Sequence, residues 1–465
     1  MFYTRDVFIH RTSIAMNEDT ISTIILSKKT SLVFILIFAT IVVVDSTVVD
    51  FSSYSGAEAS FSTNIAVFIV FSIIFAASSA VLLNSVKNSI STSKAAPYGI
   101  RYFHLTIGAT LILTIVIISI IIFQMLVLNK YSLLLLRIQI YISHLSAVAF
   151  LSFLVFLFVG WLSSSKRNYV IILYTVSFSL ACINLLVSLV YVDTYFSNSS
   201  LPDVRPYSMT TYVIQIHGLP LTESLSVVFD VISLSSFLLM WIATAIFLSQ
   251  YRHKMGKIKY FALMSIPLLY YVFPLQGYFG DVFFNLLQSS PISYSIIYIL
   301  IFSATKQVGA VLFSLAFWTA STLVYDNRIR KSLLLSAIGM AILFGTFEIS
   351  PLQYHVLPPY GFITQAFIPL GAYLLLVGIF SSAKVISRDS AVRKEFYKSA
   401  SSQLSLLKSI GVSQMEKELE QEVKAVEEKL SGTETMIDVP ELEEQEAKEI
   451  LHDVLNELYY SKAKR

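Results

Sequence analysis

Ser303-Ala304-Thr305-Lys306-Gln307-Val308-Gly309-Ala310 sits in an otherwise apolar run of about thirty residues between Pro291 and Lys331. An apolar stretch of that length reads as a transmembrane helix. At helical spacing Lys306, Gly309, Ala316 and Ala320 fall on one face. Small residues allow neighbouring helices to approach closely, so this face is expected to point into a bundle rather than at lipid. Lys306 is then a buried cation in need of a partner.

The composition agrees with a membrane chain. Of 465 residues, 55% are hydrophobic and only 14% charged, and the mean hydropathy is +0.70. Soluble domains carry about a quarter charged residues. The charge is unevenly spread. Residues 414–457 hold fifteen acids against four lysines, a local −11, which against the whole-chain +3 leaves +14 for the rest. A basic membrane block followed by an acidic soluble tail is the reading. The single cysteine, Cys182, lies in an apolar run, which excludes an intrachain disulfide or a cysteine-based metal site.

Ten apolar spans are expected, at about 31–49, 61–84, 102–128, 132–162, 168–192, 224–249, 260–274, 292–324, 332–349 and 361–384. A cleaved signal ending near Ala57-Glu58-Ala59 is the rival reading of the first; the long polar leader argues against it. The span 260–274 is short, with a re-entrant piece before Pro291 as its alternative. Ten spans put both ends on one side, and the basic residues agree. The loops and termini of that side hold twenty-one Lys/Arg, whereas the opposite loops hold only Lys130 and Arg205. By the positive-inside rule the basic side is cytoplasmic. The expected architecture is therefore all-α and polytopic: an N-terminal segment 1–30, a transmembrane domain 31–386 and a cytoplasmic helical tail 387–465.

In the tail, Ser413-Gln414-Met415-Glu416 fits a capping box opening a helix. Met415, Leu419, Val423, Val426 and Leu430 recur along it, and Ser431-Gly432-Thr433 ends it. A second helix is expected from about Asp438, with Ala447, Ile450, Leu451, Val454, Leu455 and Leu458 as its stripe. Neither stripe can be buried by one helix alone, which points to mutual packing, self-association or a protein partner through residues 413–458.

Ionisable residues within spans are functional candidates. Asp45, Arg137, Asp230, Lys306 and Glu348 all fall in the outer half, Lys306 roughly 15 Å deep at 1.5 Å per residue. Gln307 adjoins Lys306. Arg137, Tyr141 and His144 make one helical stripe; Ser226, Asp230 and Ser233 make another. These residues either line an outward-facing polar site or pair structurally and snorkel. His144 is either a proton relay or a hydrogen-bonding bridge between helices. The run Arg252-His253-Lys254 with Lys257 and Lys259 either recruits anionic lipid or only sets topology. No phosphate-binding glycine loop, dinucleotide motif, HExxH or haem-spaced histidine pair occurs, so no catalytic residue, cofactor, metal or nucleic-acid partner is expected.

Several blocks between Lys257 and Lys394 carry a resemblance. They are Lys257-Ile258-Lys259-Tyr260, Ser265-Ile266-Pro267-Leu268, Ser303 to Gly309 with Phe317-Trp318-Thr319, Leu357-Pro358-Pro359-Tyr360-Gly361, and Gly378-Ile379-Phe380-Ser381-Ser382-Ala383. Over this part, under a third of the chain, it resembles a group of uncharacterised multi-pass membrane proteins of ammonia-oxidising archaea. That group commonly has proline where Gln307 stands, and the acidic tail lies outside the resemblance. The resemblance implies an archaeal plasma-membrane location and brings no activity with it. The residues point to a non-enzymatic sensor or scaffold whose tail docks a partner. The alternative is a secondary transporter of a small solute, using the intramembrane charges.

Overall fold

A computed structural model describes residues 28–55, 61–91, 98–128, 130–164, 168–198, 204–206, 220–249, 252, 256–272, 289–290, 293, 304–346, 362–390, 392–393 and 402–431. The long elements are α1 (Lys28–Ser55), α2 (Phe61–Ser91), α3 (Tyr98–Leu128), α4 (Leu133–Ser164), α5 (Tyr169–Asn198) and α6 (Pro220–Leu248). After them come α7 (Lys257–Ser265), α8 (Ala304–Leu323), α9 (Asn327–Thr346), α10 (Phe362–Ala366), α11 (Ile368–Arg388) and α12 (Ser402–Ser431). Among the described residues, seven helical segments are long and apolar enough to cross a membrane. The protein is a polytopic, all-α membrane protein.

Its centre is the antiparallel pair α9–α11, both almost wholly buried. Small residues bring the two backbones together. A Cβ on Gly339 would stand 2.5 Å from the Leu375 amide nitrogen, and one on Gly371 would stand 2.8 Å from that of Leu343. One on Gly378 would strike Ser336. Around this pair, α8 packs on α9 and α6, α11 on α4, and α4, α5 and α6 form a consecutive layer. The stripe expected on α8 is seen: Gly309, Ala316 and Ala320 are buried, with Gly309 against Phe237 and Pro267. Aromatic edges lock the layers together, as where Phe313 meets Phe344 at 5.2 Å, nearly perpendicular.

Serine and threonine are tolerated in these apolar helices because many of their hydroxyls donate to the carbonyl one turn back. Ser72 to Phe68, Thr114 to Thr110 and Thr175 to Ile171 are examples, at 2.7, 2.9 and 2.7 Å. At one end of the bundle, β1 (Lys130–Ser132) pairs antiparallel with β2 (Val204–Pro206), Tyr131 opposite Arg205. Lys130 and Arg205, the two basic residues of the sparsely charged loops, thus share one ribbon. At the other end Arg328 bridges Asp326 (2.9 Å) and Asp389 (2.7 Å), tying the start of α9 to the end of α11.

Two expectations are corrected. The segment 260–274 is not a continuous α-helix: α7 stops at Ser265 and a 3-10 helix runs Ile266–Val272. Pro267 explains the change, since it has no amide hydrogen for an α-helical bond and its ring crowds the preceding turn. Nor does Ser413 cap a helix. It is buried in the middle of α12, which starts at Ser402 because Leu407 and Ile410 upstream are themselves buried. The helix ends at Ser431, where the break was expected. The expected spans 31–49 and 292–324 correspond to α1 and α8; residues 292 and 294–303 lie outside the described residues, as does the second tail helix. The chain divides into two units, Met1–Gln414 and Met415–Arg465, with the division inside α12.

Candidate functional site

Along α5, Tyr174, Ser177, Ala181, Asn184, Ser188 and Tyr191 recur every three or four residues, and all are buried. This spacing draws one stripe down a helix, and here it forms a polar seam through the α4–α5–α6 layer. Toward α6, Ser177 Oγ donates to the Ser236 carbonyl at 2.9 Å and Ser236 Oγ donates back to the Ser177 carbonyl at 3.0 Å. Such a reciprocal exchange requires two backbones close together. Toward α4, Ser188 Oγ lies 3.4 Å from His144 Nε2. His144 Nδ1 is 3.0 Å from the Ile140 carbonyl. A carbonyl only accepts, so Nδ1 carries the hydrogen and Nε2 is the acceptor facing Ser188.

At the ribbon end of the seam, Arg137 of α4 forms an ion pair with Asp193 of α5. The guanidinium also lies over the Tyr141 ring, 6.0 Å from its centroid. Deeper in, the Asn184 amide has no hydrogen-bond partner among the described residues at either nitrogen or oxygen, although the residue is 1% exposed. Ser233 Oγ on α6 is likewise buried without one. Buried polar groups are ordinarily bonded, so Asn184 on α5 and Ser233 on α6 stand out among the described residues. A second polar node lies between α3 and α4: Gln139 donates to Thr114 at 2.9 Å and to Ser143 at 2.8 Å.

The sequence candidates are spread over several places. Arg137, Tyr141 and His144 share the α4 stripe facing α5, as their spacing implied. The acid paired with Arg137 is Asp193, a residue that falls one position beyond the expected span. Asp230 and Ser233 diverge: Ser233 is buried and Asp230 is exposed on α6, within electrostatic reach of Tyr191. Gln307 lies elsewhere, where its Nε2 donates to the Gly345 carbonyl at 2.9 Å and so satisfies an end carbonyl of α9. Lys306 is the third residue of α8 and Asp45 lies within α1, with both side chains outside the described set; Glu348 lies outside the described residues altogether. The α5 stripe was not anticipated, although Asn184 within an apolar run and the 177–184–188 spacing announce it.

A second feature joins the bundle to the start of α12. Trp161 Nε1 donates to Gln414 Oε1 at 3.0 Å, with both residues buried. Asn168 caps α5 by accepting from the Val170 amide (3.1 Å) and donates to Ser409 Oγ (2.9 Å). Gly411 lies so close to Ile386 of α11 that a Cβ there would collide with it.

The chain matches no protein-family model, no curated protein and no solved structure.

Proposed function

We propose that the protein is a non-enzymatic sensor or scaffold, in which the membrane bundle sets the state of the acidic tail through α12. One observation carries this reading: the first half of α12 is held by buried, directional contacts, Trp161 with Gln414 above all. A tail that was merely tethered would not need a tryptophan hydrogen bond and a glycine fitted against α11. On this reading the chain spans a plasma membrane ten times, with both termini and the basic loops cytoplasmic. The resemblance to the archaeal multi-pass group supports that placement. The acidic tail then engages a cytoplasmic protein or a second copy.

The test is complementation of a gene disruption in the native host. Truncation after Gln414, and Gly411→Leu in the full chain, are expected to abolish rescue. Neutral substitutions of Arg137, Asp230 and Lys306 are expected to retain it. A truncated protein that is inserted, stable and fully rescuing overturns the reading.

A second reading, secondary transport of a small solute, is favoured by the Asn184 amide, buried without a partner among the described residues. It requires intramembrane residues reachable from water. With Lys306→Cys in a Cys182→Ser background, labelling of intact cells by an impermeant thiol reagent, blocked by an external solute, favours transport. No labelling of a folded, inserted protein removes Lys306 from any aqueous path.

A further inference from the structure

Helices α1 and α2 are adjacent in sequence, yet α1 packs on α8 and α9 while α2 packs on α3. The space between them is a groove, with Phe34, Phe38 and Ile41 of α1 on one wall and Phe71 and Ile74 of α2 on the other. Its floor is Phe367, at the turn between α10 and α11. That ring is wedged edge-on between Phe38 (5.2 Å) and Phe75 (4.8 Å). The lining has two polar residues, and both are engaged within the protein: Ser78 Oγ donates to the Ile74 carbonyl at 2.6 Å, and Thr364 also has a partner. This groove is apolar, in contrast to the α5 seam. Its lining includes Ile37, 54% exposed, as a lipid-facing residue of a membrane helix is.

We infer that this groove is a binding site for a single hydrocarbon chain of a membrane lipid, lying along α1 and α2 with Phe367 beneath it. Three observations select that occupant. The groove lies in the apolar part of a polytopic membrane protein and its lining includes a lipid-facing side chain, so hydrocarbon is the medium that meets it. Its lining is almost wholly apolar and offers dispersion contacts in place of the donors and acceptors a headgroup or polar solute needs. Its rigid aromatic floor is already formed, so a chain entering it orders little protein and gains contact on three sides, where a chain at the outer bundle surface touches one. The inference stands apart from the sensor reading and needs neither the tail nor the polar seam.

The experiment uses the full chain in dioleoylphosphatidylcholine vesicles doped with a phosphatidylcholine carrying a photoactivatable diazirine in one acyl chain. After irradiation, adducts are mapped by mass spectrometry. The expected result is an adduct yield at Phe71, Ile74 and Ile363 several-fold above that at the exposed α3 residues Ile112 and Leu113, which meet only bulk lipid. Ile41→Trp, or Ile74→Phe should the first fail to fold, fills the groove; either is expected to remove that excess and leave the α3 yield unchanged. Equal yields at the groove and on α3 in the wild type overturn the proposal. So does an excess that persists in a folded, groove-filled variant.

Discussion

Gln307 and Asn184 are both buried amides, and they predict opposite behaviour. Gln307 bonds the Gly345 carbonyl, so Gln307→Leu strands that carbonyl inside the bundle. A loss of about 1 kcal/mol is expected, measured by unfolding in mixed micelles. Asn184 has no bonding partner among the described residues. Asn184→Leu, close in volume, is therefore expected to leave stability unchanged or raise it by up to about 1 kcal/mol. A clear loss would show that the amide is held by a partner outside the described residues. At this scale the sequence was legible in part. The spacing of Arg137, Tyr141 and His144 told which face they share, because periodicity is a local property. That Arg137 pairs with Asp193 was not legible, because α5 runs past the point where its apolar run stops and the acid was counted as loop. Asp230 and Ser233 show the limit of stripes: three residues apart, one is buried and the other exposed.

The elements most readable from the sequence were those whose faces differ. On α8 the small residues Gly309, Ala316 and Ala320 announced a buried face, and they are buried. The break at Pro267 was equally present in the sequence but was overridden by the apolar run around it. The start of α12 was misplaced for the opposite reason. Ser413 carries a capping pattern, yet tertiary burial of Leu407 and Ile410 draws the helix eleven residues back, to Ser402. Contact between elements predicts the sharpest failure at α9–α11. Gly339→Leu places a side chain where the Leu375 amide stands 2.5 Å from a bare Cβ. It should destabilise the bundle by about 1–3 kcal/mol or prevent assembly, read as a lower melting temperature in detergent or as loss of the monodisperse species. Gly108, with open space around it, is the control: Gly108→Ala should be tolerated.

Over the whole molecule, the end carrying Asp326, Arg328 and Asp389 predicts how stability responds to acid. Partial burial raises the Asp326 carboxyl, but hydrogen bonds from the Arg328 side chain and from the Ile329 and Arg328 amides outweigh it and hold the group below its ordinary value of 3.8. A depressed carboxylate stabilises the fold above its unfolded value, and the contribution fades as pH falls through the lower native value. Stability should therefore be flat in this respect from neutrality down to about pH 5 and decline below about pH 4. Asp326→Asn should lower stability at pH 7 and flatten the acid limb, measured by unfolding across that range. Which helix occupies the centre was not legible, because apolar runs do not rank themselves by burial. That centre has a consequence for how the protein is made. Among the seven described segments apolar enough to cross a membrane, the one formed by α9 has the lowest hydropathy, chiefly because it takes in Arg330 and Lys331 at its basic end; beyond them its buried surface carries Ser332, Ser336 and Gly339. Alone in a bilayer it would be a poor guest, with its small and polar face turned to hydrocarbon. A ribosome-bound chain ending before α11 should therefore hold α9 weakly, and stable membrane residence should arrive only when α11 emerges to cover it.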